Sequence, residues 1–178
     1  MTTGHVFIAT SLDGFIARPD GTLDWLLSRD VPGEDHGYDA FMSGIDGLVM
    51  GRGTYEAVAG FDPWPYDKPV LVLSKTLANT PVPDRLSGRV RFADLSPKAA
   101  LQACAADGMA RVYVDGGQLV QSFLAEGLIA DMIITSVPVL LGAGRRLFGP
   151  TPADIPLTHL RTVAFPSGLV QSSYRVGS

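Results

Sequence analysis

RVYVDGGQLVQSFLAEG, Arg111 to Gly127, is the stretch whose reading decides the fold. RVYVD has the apolar run of a strand, and Gly116-Gly117 make a turn. QLVQSFLAEG then carries Leu119, Val120, Phe123 and Leu124 on one side of a helix, with Gly127 as the residue just past its end. The unit is strand, glycine turn, helix, which is how a parallel sheet is built. GLVMGRGTYE, Gly47 to Glu56, repeats the plan: a short buried strand from Gly47 to Met50, a turn at Gly51-Arg52-Gly53-Thr54, and a helix from Thr54 to Ala59. Both turns present backbone N–H groups where a phosphate can sit.

Working outward, HVFIAT (His5 to Thr10) is a first strand, and SLDGFIARPDG follows as a loop with two Asp-Gly turn signals. Asp35 to Ser43 reads as a short helix turning Tyr38, Phe41 and Met42 inward. KPVLVLS, Lys68 to Ser74, is an unbroken apolar run of the kind covered on both faces in the middle of a parallel sheet. RVRF (Arg89 to Phe92) is a further strand. Ser96-Pro97 gives an N-cap and a first-turn proline to a helix with Leu101, Cys104 and Ala105 on one face. Asp131 to Val137 is a strand again, and PLTHLRTVAF and GLVQSSYRV, joined at Pro166-Ser167-Gly168, close the chain as a hairpin. The expectation is an α/β fold of three layers: a mainly parallel central sheet flanked by helices, with an antiparallel C-terminal hairpin.

At 178 residues and 46% hydrophobic content, the chain suffices for one sizeable core, so residues 1–178 are expected to form one domain. A net charge of −4 lacks the cationic excess that phosphate-backbone binding needs, so no nucleic-acid partner is expected. No apolar run approaches roughly 18 residues, which argues against a membrane span. One cysteine, Cys104, and no basic-then-apolar leader point to a cytoplasmic setting. His5, His36 and His159 are scattered, so no metal-ligand spacing exists. No G-x-S-x-G elbow supports acyl transfer.

In an open α/β sheet, ligands bind beyond the carboxyl ends of the strands, where GRGT and DGGQ both fall. Two phosphate cradles facing one crevice suit a dinucleotide. Taken singly, either turn is as well explained by glycines ending a strand. LSKT adds Ser74 and Lys75 at the same edge, a pair suited to a 2′-phosphate or simply to a solvated turn. Gly142-Ala143-Gly144 fails as a dinucleotide fingerprint, because Pro150 and Pro152 prevent a helix from opening there.

The order SLDGFIA, MGRGTYE, LVLSKT, VYVDGGQLVQSFL and PVLLGAGRRLF resembles the dihydrofolate reductase-like superfamily over nearly the whole chain. Within it, SLDGFIA and PVLLGAGRRLFG are most similar to the reductase domain of riboflavin biosynthesis and its stand-alone relatives. The resemblance implies NADPH as cofactor. Gly51, Arg52 and Thr54 would lie at its phosphates, Ser74 and Lys75 near the 2′-phosphate, Gly116 and Gly117 would offer N–H groups, and Ala9, Thr10 and Ile16 would flank the nicotinamide. It also implies a homodimer, for which the exposed-looking C-terminal hairpin gives a physical reason.

PDGTLDW, Pro19 to Trp25, resembles the segment that precedes the pterin-binding carboxylate of dihydrofolate reductases. Counting forward reaches Asp30, whereas counting back from Gly51-Arg52 reaches Asp35. Asp35 is preferred as the catalytic carboxylate, although the start of a helix is equally a place for an exposed cap. Thr135 aligns with the threonine that bonds that carboxylate. Arg145 and Arg146 are candidates for a substrate anion, or a solvated basic loop. The leading expectation is an NADPH-dependent reductase of a small heterocyclic or pyrimidine ribosyl phosphate-type substrate. A true dihydrofolate reductase and a non-catalytic NADPH-binding protein are the alternatives.

Overall fold

The structure, a computed structural model, describes residues 1–29 and 31–177. Its main sheet holds eight strands: β1 (Thr3–Ser11), β3 (Gly47–Gly51), β4 (Val70–Leu73), β5 (Val90–Ala93), β6 (Arg111–Asp115), β7 (Ile129–Val137), β9 (Leu157–Ala164) and β10 (Val170–Val176). They lie in the order β5-β4-β3-β6-β1-β7-β10-β9. The first six in that order pair in parallel, and β10 and β9 add an antiparallel edge. The expected architecture is the observed one. KPVLVLS contributes β4, an inner strand one place from the edge, while β6 and β1 hold the centre.

Period-two alternation sorts side chains to the two faces. Val49, Leu71, Val112 and Val114 turn to one side, where they meet Leu101 and Cys104 of α4 (Pro97–Ala106) and Val120 and Phe123 of α5 (Gly117–Ala125). Leu48, Met50, Val70, Val72 and Tyr113 turn to the other, against Phe41 of α2 (Tyr38–Ser43) and Tyr55 of α3 (Arg52–Val58). Ser96 caps α4 as its sequence predicts, its Oγ accepting from Ala99 N–H at 3.3 Å behind Pro97.

Two boundaries differ from the sequence reading. The helix expected from Asp35 starts only at Tyr38, because Gly37 sits at φ +81° and breaks the helical path. The SLDGFIARPDG and GAGRRLF loops contain a two-stranded ribbon, β2 (Phe15–Ala17) against β8 (Arg145–Arg146). Neither strand is long enough to show a period of two, so only the pairing reveals it. Among the described residues no helix is long and apolar enough to cross a membrane.

Phe123 has no exposed surface and sits where α5 meets the sheet. Phe123→Ala is expected to lower unfolding free energy by about 3–5 kcal/mol in urea titration; a loss under about 1 kcal/mol would mean that this cluster is not the core.

Candidate active site

Parallel register brings distant loops to one edge. Gly51 pairs with Leu73, so Arg52 and Ser74 leave adjacent strands side by side. Met50 pairs with Asp115, which sets the GRGT turn next to the DGG turn. Gly116 adopts φ +110°, and a Cβ built there would lie 2.9 Å from Thr54 Oγ1. Gly117 is as crowded: a Cβ would stand 2.6 Å from the Arg146 carbonyl oxygen and 2.9 Å from Ile16 Cδ1. Thr54, Gly116, Gly117 and Ile16 therefore meet at one point, with no room for a side chain at either glycine.

The remaining predicted cofactor residues spread along the same edge. Arg52 is exposed and pairs with Glu56 at 3.7 Å. Lys75 is exposed, and the Ser74 hydroxyl already accepts from Leu77 N–H at 3.1 Å, capping a short turn. Ala9 and Thr10 lie at the end of β1, opposite Thr135 and Ser136 of β7. Ala9 also packs on the cluster formed by Trp25 of α1 (Asp24–Leu27), Val137 and Leu169.

The predicted pairing of Asp35 with Thr135 is absent. Asp35 is exposed and accepts from Gly37 N–H at 2.7 Å, the local turn bond of a capping residue. Asp30, the other candidate, lies outside the described residues. Thr135 is buried, 5% exposed, and its Oγ1 accepts from Gln171 Nε2 at 3.0 Å. The same Nε2 donates to the His36 carbonyl at 3.0 Å.

The carboxylate that is engaged here is Glu34. It accepts from Ser167 N–H at 3.1 Å, bonds the Ser167 hydroxyl, and pairs with His36 Nε2 at 2.8 Å. The Ser167 hydroxyl foremost, assisted by His36, holds this carboxyl below its usual range. Glu34 is thus an ionised clasp between the residues preceding α2 and the β9–β10 turn. A carboxylate between Ser and His does not activate the hydroxyl, because no imidazole stands beside it to take its proton.

Two further carboxyls matter. Asp13, read in the sequence only as a turn signal, bonds Ser11 Oγ at 2.6 Å and accepts from Leu141 and Gly142 N–H. Ser11 first, then those amides, hold its pKa at about 2, so it is an anionic tie between the SLDG and LLGAG loops. Asp115 behaves oppositely. Burial pushes its carboxyl up to about 6, against opposing bonds from Gly116 N–H and Tyr113. It lies among Tyr38, Tyr66 and Tyr113, whose hydroxyls burial raises in turn with Asp115 the next cause. The sequence placed Asp115 only in a glycine turn; its position at the end of an apolar strand was the signal for a half-buried acid. Arg146 stacks on Phe15, its guanidinium carbon 4.6 Å from the ring centre, while Arg145 reaches toward Gly21 and Gly53.

The sequence profile of the RibD C-terminal domain matches residues 3–171. The chain belongs to that family. It is 37% identical to the uncharacterized protein YwjB of Bacillus subtilis (strain 168) over 147 residues, 80% of each chain. A crystal structure from Shewanella sp. PV-4, of a protein named for riboflavin biosynthesis, superposes with a TM-score of 0.92 at 41% identity, covering 99% of this chain and all of that one. A Thermotoga maritima diaminohydroxyphosphoribosylaminopyrimidine deaminase/5-amino-6-(5-phosphoribosylamino)uracil reductase shares the fold at 14% identity and a TM-score of 0.72, over 98% of this chain and 56% of its own. The fold is the reductase-type fold of this family, with its mostly parallel sheet and antiparallel C-terminal strands.

Asp115 sets a pH dependence whose sign follows from linkage. Its folded pKa, about 6, exceeds the ordinary 3.8, so between those values the folded chain holds a proton that the unfolded chain has lost. Stability therefore falls as pH rises through that window, by on the order of 3 kcal/mol, and stays lower above it. Asp115→Asn should remove the dependence: in urea unfolding the variant should gain on the parent from pH 4 to pH 7.5. A parallel change in both proteins would show that Asp115 ionises freely.

Proposed function

We propose that this chain is an NADPH-dependent reductase, acting in the cytoplasm on a small heterocyclic acceptor. One observation carries the reading: the Gly116 and Thr54 turns touch, so two strand–glycine–helix turns stand side by side at the carboxyl edge of the sheet, where such sheets bind ligands. Membership in the RibD C-terminal domain family supports it.

The residues present fit such a cofactor. The Gly51–Thr54 and Gly116–Gly117 turns offer backbone N–H groups to phosphate oxygens, with the Thr54 hydroxyl between them. Arg52 and Lys75 are exposed cations on neighbouring strand ends, suited to the 2′-phosphate. Ala9, Thr10 and Ile16 would border the nicotinamide. When bound, the nicotinamide supplies the hydride. The chain's own part is position and a proton: Asp115, protonated in an appreciable fraction of molecules near pH 6, holds that proton on its carboxyl oxygen at the end of β6. Thr135 helps to position the acceptor from the adjoining part of the same face.

The dihydrofolate reductase alternative needs a carboxylate on or before α2 aimed at the pterin. Asp35 is exposed and capped on Gly37, and Glu34 is committed to Ser167, so nothing described there favours it.

Arg52→Ala and Lys75→Ala are expected to weaken NADPH binding about tenfold or more each, while NADH changes by less than about threefold, in calorimetric titration. Equal losses for the two cofactors would remove these residues from the 2′-phosphate.

We also propose a homodimer through the C-terminal edge. Among the described residues β9 pairs only with β10, nearly all of its residues are exposed, and Leu157 and Leu160 are among them. Size-exclusion chromatography with light scattering at micromolar concentration should give twice the chain mass; a single-chain mass would sink the proposal.

A further inference from the structure

Arg145 and Arg146 are neighbours in β8, so their side chains leave opposite faces of the β2–β8 ribbon. Arg146 lies over the Phe15 ring, its guanidinium carbon 4.6 Å from the ring centre. Arg145 goes the other way. A Cβ built on Gly21 would lie 3.2 Å from its Nη2, and one built on Gly53 would lie 3.7 Å from its Nη1. The guanidinium therefore stands between the Pro19-Asp20-Gly21 turn and the Gly51–Thr54 turn, the second of which touches Gly116 through Thr54.

The backbone that carries Arg145 is anchored on both sides. Leu147 is fully buried in the core, and its N–H donates to the Gly14 carbonyl at 3.1 Å. Gln121 of α5 donates its Nε2 to the Arg146 and Leu147 carbonyls, each at 3.2 Å. On the preceding side, Asp13 accepts from Gly142 N–H at 2.8 Å, and Gly144 packs so closely on β2 that a Cβ there would collide with the Ala17 carbonyl oxygen. The position of the guanidinium at the Gly51–Thr54 turn is thus set by the core, by α5 and by the ribbon, and does not rest on the reach of a loose loop.

Among the described residues no carboxylate pairs with Arg145. The acids nearest in sequence to its two contacts are engaged otherwise. Asp20 accepts from the Thr22 N–H at 2.9 Å and from the Thr22 hydroxyl at 2.8 Å, and Asp24 pairs with Arg18 at 2.7 Å. Glu56 pairs with Arg52 at 3.7 Å, so the arginine within the turn shares its charge while the arginine that arrives from β8 keeps its own. Arg145 brings an exposed, planar fork of N–H donors to the turn with no acidic partner.

We propose that Arg145 binds the pyrophosphate of the dinucleotide, an inference that rests on the reductase reading above and adds a residue to it. Each phosphate of that bridge carries a negative charge, and a guanidinium fork meets two phosphate oxygens at once where a backbone amide meets one. The pair that the sequence offered for a substrate anion is then divided: Arg145 serves the cofactor, and Arg146 covers Phe15. Because the pyrophosphate is common to NADPH and NADH, Arg145 adds affinity for both alike and sets no preference between them. That separates its role from the one assigned to Arg52 and Lys75, which is discrimination at the 2′-phosphate.

The test is calorimetric titration of NADPH and of NADH into the parent protein, Arg145→Ala and Arg145→Lys. Arg145→Ala is expected to weaken both dinucleotides about tenfold or more, with their affinity ratio kept within about threefold of the parent's. Arg145→Lys, which keeps the charge and loses the fork, is expected to recover part of that loss and remain several-fold weaker than the parent. NADPH affinity in Arg145→Ala within about threefold of the parent's overturns the proposal. A loss confined to NADPH overturns it as well, because it moves Arg145 to the 2′-phosphate. Thermal unfolding of each variant separates a lost ligand contact from a lost fold; should Arg145→Ala unfold, Arg145→Lys decides alone, and unchanged affinity in it counts against the proposal. A parent that binds neither dinucleotide strikes the reductase reading itself, an outcome read before any variant is made, and the proposal falls with it.

Discussion

Gly116 is held where a side chain would begin inside the Thr54 hydroxyl, and much of the site depends on that contact. It exists because β3 and β6 pair in parallel with Met50 opposite Asp115, so both strands end at the same height and both chains turn there into helices. A larger residue at Gly116 would have to displace Thr54 and would also be strained at φ +110°. The close approach of the two turns is thus fixed by steric exclusion within the protein.

Around that contact the loops are tied down by charge-assisted bonds, each with its own task. Asp13 draws the backbone of Leu141 and Gly142 onto the SLDG turn. Glu34 draws the Ser167 turn onto the residues before α2, and Gln171 extends that link to Thr135. These acids stay ionised because hydroxyls and amides donate to them. At Asp115 burial outweighs the donors, so the same chemical group keeps its proton up to about pH 6. Three carboxyls within one edge of the sheet are separated in role by their surroundings alone.

Much of the fold was legible because it rests on local patterns. The apolar runs of β3, β4, β6 and β7 alternate or continue as their burial requires, Ser96-Pro97 starts α4, and Pro166-Ser167-Gly168 turns the closing hairpin. The candidate site was legible where it consists of turns: Gly51 to Thr54, Ser74-Lys75 and Gly116-Gly117 lie at one edge, as the strand-turn-helix pattern requires. Where it depends on a side chain finding a distant partner, local sequence does not give that partner. Asp35 resembled a catalytic carboxylate by spacing from Gly51, yet the adjacent Gly37 offers its N–H first. Nothing local marks Glu34, whose partner Ser167 is far along the chain.

The sequence by itself therefore determined the elements, their parallel arrangement, the glycine turns and the family resemblance, because helical and strand periodicity and positive-φ glycines are properties of neighbouring residues. Only the tertiary structure decided that β2 pairs with β8, that Arg146 stacks on Phe15 while Arg145 reaches Gly53, that Glu34 is a clasp and that the half-buried Asp115 is the acid whose carboxyl is pushed up. Register, burial and electrostatic surroundings arise between segments far apart in the chain, and no window of sequence contains them.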